Sequence, residues 1–258
     1  MLTNPKHRDN AFDLIRFMAA LAVLFSHSFA TSGLPEPTYF GGETAGSLGV
    51  FVFFAVSGYL VQQSWSRQPD PRSFVLSRVL RIFPGLLACL LFCGVLLGPI
   101  ASQLPLEVYL SHKDVYKFVY SNLAMFFVPR YDALPGVFVN NPFPNNVNSS
   151  LWTIRYEVFM YVVLLAISFL FKRSGIVIAA LLMSLCGLWA YGMYIGLAAP
   201  GQLLWRLGVV GLDGRILKLA PFFLVGVLIA KARRNFSPYR QQHSPLWSLR
   251  SSMIHRLQ

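Results

Sequence analysis

Residues 11–30 read AFDLIRFMAALAVLFSHSFA, a run long enough to cross a bilayer as a helix, yet interrupted by Asp13, Arg16 and His27. A helix turns about 100° per residue, so eleven residues carry it round about three full turns plus roughly 20°. Arg16 and His27 therefore share one face and lie roughly 16 Å apart along the axis. That is about half the thickness of a hydrocarbon core. Ionisable groups at such depth are costly and tend to face a protein interior or a watery cavity, which makes both residues candidates for function. A plainer reading stays open beside it: Arg16 snorkels to the headgroups and His27 marks the opposite boundary.

Composition sets the class. Hydrophobic residues make up 55% of the chain and charged residues 12%, with a mean hydropathy of +0.53. A soluble domain carries roughly a quarter charged residues. The chain is therefore read as all-α, a polytopic transmembrane helical bundle. The formal charge of +12 does not point to nucleic acid, because the basic residues cluster at the ends of apolar runs. Cytoplasmic loops beside anionic membrane lipid have that character. Cys89, Cys93 and Cys186 lie inside apolar runs without His or carboxylate partners at ligand spacing, so neither a disulfide nor a metal site is expected. A cleaved signal peptide is the weaker reading of residues 11–30, although Ser28-Phe29-Ala30 has a small-x-small form. Asp13 and Arg16 intrude into the segment, and the rest of the chain is also hydrophobic.

Runs of about 20 apolar residues predict about six spans, at 11–30, 46–63, 84–100, 149–171, 175–196 and 215–230. Pro84 is read as the start of the third helix. VYKFVYSNLAMFFV (115–128), apolar but short, reads as a buried or interfacial helix. Arg67, Arg72, Arg78 and Arg81, then Lys172 and Arg173, then Lys231, Arg233 and Arg234, all fall on the N-terminal side of the bundle, whereas the first loop (31–44) has no Lys or Arg. The N-terminus is accordingly expected in the cytoplasm. Residues 1–10 then form a cytoplasmic N-terminus and 11–231 the membrane domain. Residues 232–258 form a polar, basic tail, read as disordered or as read-through from an interrupted gene.

Three further stretches carry chemistry. In FFAVSGYL (53–60), Ser57 and Gly58 are small residues that let helices approach closely. RVLRIFP (78–84) sets Arg78 and Arg81 on adjacent turns. A solvated face is the ordinary explanation, and a phosphate-binding pair the sharper one, since a guanidinium fork matches phosphate oxygens. SLWTIRYEVFMY (150–161) opens the fourth span with Trp152, Arg155, Glu157 and Tyr161. A carboxylate there needs a partner, and Arg155 is near in sequence.

Arg16 with ten residues between it and His27, then FFAVSGYL, RVLRIFP and SLWTIRYEVFMY, in this order over about residues 11–231, resemble acyltransferase family 3 of membrane proteins. LPGVF (134–138) with Asn141-Pro142 resembles the branch that modifies exopolysaccharide or lipopolysaccharide. The resemblance implies a multi-pass enzyme of the inner or plasma membrane. Such an enzyme moves an acyl group, acetyl foremost, from acyl-coenzyme A to a hydroxyl of a cell-surface carbohydrate or a lipid-linked sugar. Acetyl-coenzyme A is then a donor substrate, and no permanently bound cofactor is implied. The arginine–histidine pair is, by resemblance, the essential feature.

Roles follow from the chemistry of that reaction. His27 is the expected base toward the acceptor hydroxyl, because imidazole titrates in a suitable range. Arg16 would hold a donor phosphate or an anionic carbonyl-facing group. Glu157 would orient the imidazole or bind a sugar hydroxyl, its structural alternative being an ion pair with Arg155. Arg78 and Arg81 would gather the coenzyme's phosphates. Ser57, Trp152 and Tyr161 are the candidate acceptor contacts. No thiol or serine has a nucleophile's setting, so direct transfer is expected rather than an acyl-enzyme. Two features depart from the family: the chain ends after fewer spans, and Arg155 stands where many relatives carry a neutral residue. An inactive truncated relative is therefore one alternative. A transporter using the buried charges as a proton or substrate path is another, against which the lack of an inverted repeat weighs.

Overall fold

The computed structural model describes residues 10–39, 42–125, 127–171, 174–194 and 215–235. Helices α1 (Asn10–Ser32), α2 (Ala45–Arg67) and α3 (Pro71–Leu91) come first. A π-helical segment (Phe92–Leu97) and α4 (Gly98–Ala101) prolong α3, and α5 (Leu106–Ser111) and α6 (Lys113–Ala124) follow. A long loop then leads to α7 (Trp152–Leu170), α8 (Ser174–Tyr194) and α9 (Arg215–Asn235). Among the described residues there is no strand, only the isolated bridges Thr38–Thr44 and Ser102–Val137.

Helix starts are written locally. Thr44 caps α2 by accepting the Ser47 amide at 3.2 Å. Asp70 caps α3 by accepting the Ser73 amide at 2.7 Å, with Pro71 in the first turn. This corrects the third predicted span. An Asp cap followed by a first-turn proline is a fuller start signal than Pro84 alone, so the helix begins at Pro71 and Pro84 lies inside it. Arg72, Arg78 and Arg81 consequently belong to the helix.

Among the described residues, four stretches are long and apolar enough to cross a membrane: Ala11–Ser32, Ala45–Arg67, Pro71–Ala101 and Ser149–Leu170. Helices α8 and α9 stand where the fifth and sixth spans were predicted. The predicted 115–128 helix is α6, ended early by Met125 at φ 45°. Residues 232–235, assigned to the tail, continue α9. The rest of that tail, residues 1–9, the basic pair at 172–173 and the end of the fifth predicted span lie outside the described residues.

Among the described residues, two cores organise the bundle. Phe54, Tyr156, Met160, Phe223 and Leu224 join α2, α7 and α9, with Ile178 of α8. Leu90, Tyr109, Phe118, Leu134 and Val137 join α3, α5, α6 and the long loop. Tyr109 donates to the Gly94 carbonyl at 2.8 Å, which supplies a partner to the π-helical turn. Helices α2 and α9 meet backbone to backbone. A Cβ at Gly58 would stand 2.0 Å from the Phe223 carbonyl oxygen, and one at Gly226 2.0 Å from that of Ala55. Small residues allow this approach in membranes, and here only glycine fits. Helix α1 lies along α2, leaving Leu14, Phe17, Met18 and Leu24 exposed, as suits a lipid-facing surface.

Candidate active site

A cavity of about 480 Å³ opens between α1, α2, α3 and α7. Arg16, Ser57, Arg81 and Glu157 line it, among apolar neighbours such as Phe53, Phe54 and Leu86. Each of these four comes from a different helix, and each stands on the flank its helix turns toward the others. Arg16 also meets Asp13, one turn earlier, at 3.7 Å. Two guanidinium groups and one carboxylate in an otherwise apolar wall give an anion-binding hollow with a single acid.

Glu157 is held by hydroxyls. Ser57 Oγ donates to Glu157 Oε1 at 2.9 Å, and Tyr161 OH, one turn along α7, donates to the same oxygen. The two hydroxyls are 3.1 Å apart. Hydrogen bonds to a carboxylate are the stronger kind, so this trio fixes the acid against the cavity wall. These bonds, rather than the pairing with Arg155 offered by sequence, account for Glu157.

Arg78 stands behind the trio and does not line the cavity. Its Nη2 donates to Ser64 Oγ at 2.9 Å. Its guanidinium lies 5.5 Å from the Phe74 ring centroid and 5.7 Å from that of Tyr161. On the cavity, the companion of Arg81 is Arg16. Residues three apart on a helix point about 60° from one another, so one of the two arginines turns inward and the other stays on the hollow.

His27 lies further along α1, outside the cavity wall, with Nδ1 3.1 Å from Ser149 Oγ. The neighbouring Ser26 hydroxyl donates to Glu36 of the following loop. Ser149 is tied in turn to the long loop: Arg130 donates to its carbonyl at 3.4 Å and pairs with Asp132 at 2.5 Å. Burial pushes the Asp132 carboxyl above the usual carboxylate range, against the opposite pull of the Arg130, Arg155 and Arg215 guanidiniums. Trp152 also stands apart from the cavity. It meets Tyr156 edge-on at 5.6 Å and carries the Arg215 guanidinium 4.8 Å over its ring.

A second hollow of about 540 Å³ is almost wholly apolar, lined by Phe51, Val52, Leu217 and Phe222, with the Glu43–Lys218 pair (2.6 Å) on its wall. It has none of the acid–base groups gathered around the first. Among the described residues, no group of three or more His, Cys, Asp or Glu could hold a metal ion.

The order of these groups along the chain can be set against known proteins. The acyltransferase domain family matches residues 9–250. The chain belongs to acyltransferase family 3. This family 3 chain is 37% identical over 157 residues to the O-acetyl transferase of Shigella phage Sf6, a match covering 61% of the chain and 45% of that protein. It is 32% identical over 183 residues to Nodulation protein 10 of Rhizobium leguminosarum bv. viciae, covering 67% of the chain and 48% of that protein. It thus spans about half the length of the curated relatives it matches. No solved structure matches it. With four membrane-length apolar helices among the described residues, this acyltransferase family 3 chain is a membrane protein.

Three residues of the candidate site escape a reading of sequence alone. Thr153 lines the cavity, one turn before Glu157. Ser149 touches His27 across 122 residues of chain, and Arg130 reaches Ser149 from within the long loop. Helical periodicity places residues on a face but says nothing of partners at such separations. The one local signal is Asn148-Ser149-Ser150, a run of cap-forming residues at the start of the fourth span.

Proposed function

We propose that this protein is a multi-pass O-acyltransferase of the inner or plasma membrane, with its N-terminus in the cytoplasm. It moves an acyl group, acetyl foremost, from acyl-coenzyme A to a hydroxyl of a cell-surface carbohydrate or lipid-linked sugar. The observation that carries this reading is the shared cavity of Arg16, Arg81, Ser57 and Glu157, with His27 further along the helix that bears Arg16. The similarity to the phage O-acetyl transferase supports the choice of acetyl.

The cavity suits the donor end of the reaction. Arg16 and Arg81 offer planar forks to phosphate oxygens, in a setting where apolar walls strengthen such contacts. The thioester would then point along α1 toward His27, roughly 16 Å from Arg16. There the acceptor hydroxyl attacks the thioester carbonyl while imidazole Nε2 takes its proton. Collapse of the tetrahedral intermediate breaks the carbon–sulfur bond, and the proton held on His27 passes to the departing thiolate. Glu157, acceptor-only when ionised, would bind donor or acceptor hydroxyl and amide groups that enter the cavity. Direct transfer is preferred because Ser57 and Ser26 are engaged with carboxylates, Glu157 and Glu36, and Ser149 meets His27 at Nδ1, not at the Nε2 that takes the proton in this reading.

The test is transfer of radiolabelled acetyl from acetyl-coenzyme A by membranes containing the chain. Label in the carbohydrate or lipid-linked sugar fraction, dependent on this protein, is the expected result. Label that stays with the coenzyme under all acceptor conditions would overturn the proposal.

A further inference from the structure

We propose that Ser149 is the positioning residue for His27, setting the tautomer that leaves Nε2 free to take the acceptor's proton. The inference rests on the reading of His27 as base. Neutral imidazole carries one proton, so a basic Nε2 requires that proton on Nδ1. Ser149 Oγ lies 3.1 Å from Nδ1, within reach to accept an Nδ1–H bond or to donate to a bare Nδ1, and the proposal assigns it the accepting role. An unpartnered imidazole in water favours the opposite tautomer, with Nε2 protonated and useless as a base.

The serine is held firmly enough for this work. It opens the 3₁₀ turn Ser149–Leu151, which leads into α7. Asn148 Oδ1 accepts the Ser150 amide at 3.2 Å, and Asn148 Nδ2 donates to Cys89 Sγ of α3 at 3.3 Å. Arg130, itself anchored by Asp132, donates to the Ser149 carbonyl. The hydroxyl is thus mounted on backbone fixed from α3 and from the long loop, while His27 arrives on α1. A neutral hydroxyl also differs from a carboxylate as partner. Accepting from Nδ1–H, with its own proton turned elsewhere, it holds the tautomer without placing a full charge beside the ring.

The experiment uses the full chain with ¹⁵N-labelled histidine in detergent micelles, at a pH where imidazole is neutral. The His27 signals are assigned by their loss in His27→Gln. The Nδ1–H tautomer should dominate in the wild type and in Ser149→Thr, and the Nε2–H tautomer in Ser149→Ala. An Nε2–H majority in the wild type, or no change in Ser149→Ala, overturns the inference. A second arm measures acetyl transfer. Ser149→Ala should lose roughly 10- to 100-fold in turnover, the scale of a misplaced reacting group, with the donor KM unchanged and Ser149→Thr near the wild type. Wild-type turnover in Ser149→Ala overturns it as well. A tautomer switch between wild type and Ser149→Ala, in a wild type that transfers no acetyl, supports the positioning geometry and counts against the acyltransferase reading alone.

Discussion

Ser57 and Glu157, one hundred residues apart in the chain, share a 2.9 Å hydrogen bond that joins α2 to α7 at the cavity wall. Tyr161 donates to the same carboxylate oxygen, so two neutral hydroxyls hold one acid. Removing either hydroxyl should cost roughly 1–3 kcal/mol, the scale of a hydrogen bond to a charged group. Ser57→Ala and Tyr161→Phe should couple by about 0.5 kcal/mol or more, since only the double variant strips the carboxylate of both donors. Unfolding in mixed micelles, run as a double-mutant cycle, measures this. Strict additivity would show that the two hydroxyls act on separate partners.

The α2–α9 crossing gives a stability test independent of chemistry. Gly58→Ala places a methyl into the Phe223 carbonyl, where the gap is 2.0 Å. The cost should reach the upper part of the roughly 1–3 kcal/mol typical of overpacking. Gly85→Ala is the control, as nothing lies within 4 Å of its Cβ position. There alanine's better helix propensity should leave stability unchanged or raise it by up to about 1 kcal/mol. Thermal unfolding of both variants separates the outcomes, and equal melting temperatures would refute close packing at Gly58.

Arg78 and Arg81 should part company on mutation. Arg81→Gln removes a guanidinium from the cavity and should weaken coenzyme A binding roughly tenfold or more, with little loss of stability. Arg78→Gln removes the stacking on Phe74 and Tyr161 and should cost about 1–2 kcal/mol of stability. Calorimetric titration with coenzyme A, beside a melting curve, reads both. Loss of affinity in Arg78→Gln with Arg81→Gln unaffected would reverse the assignment.

Orientation is tested by reporter fusions. The lack of basic residues in the first loop and their density elsewhere place reporters after Ser32 and near Asn145 in the outer compartment, and one after residue 173 in the cytoplasm. A cytoplasmic signal near Asn145 would undo this map.

Much of the fold was legible because membrane-length apolar runs leave a chain few options. Residues 11–30, 46–63 and 149–171 each lie on a helix close to the predicted bounds. The start of α3 differs from the expected one because Pro84 marks only the edge of the apolar run, whereas the helix starts at the Asp70-Pro71 cap, fixed by one side-chain bond to Ser73. Within the site, residue types were legible and partners were not. Glu157 stands out in any apolar helix, yet its attachment to Ser57 depends on how α2 and α7 pack. Arg78 and Arg81 look alike in sequence, and only the rotation of α3 turns one onto Tyr161 and the other onto the cavity. His27 was conspicuous, whereas Ser149 is an ordinary serine until the loop and α1 bring it to Nδ1.

The most direct test of the account is acetyl transfer by His27→Ala, compared with wild type at equal, correctly inserted protein. The expected result is a fall in turnover of roughly two to four orders of magnitude, the usual consequence of losing a general base, with coenzyme A binding retained. Near-wild-type turnover in His27→Ala would contradict the account at its centre, because another group or water would then be taking the acceptor's proton.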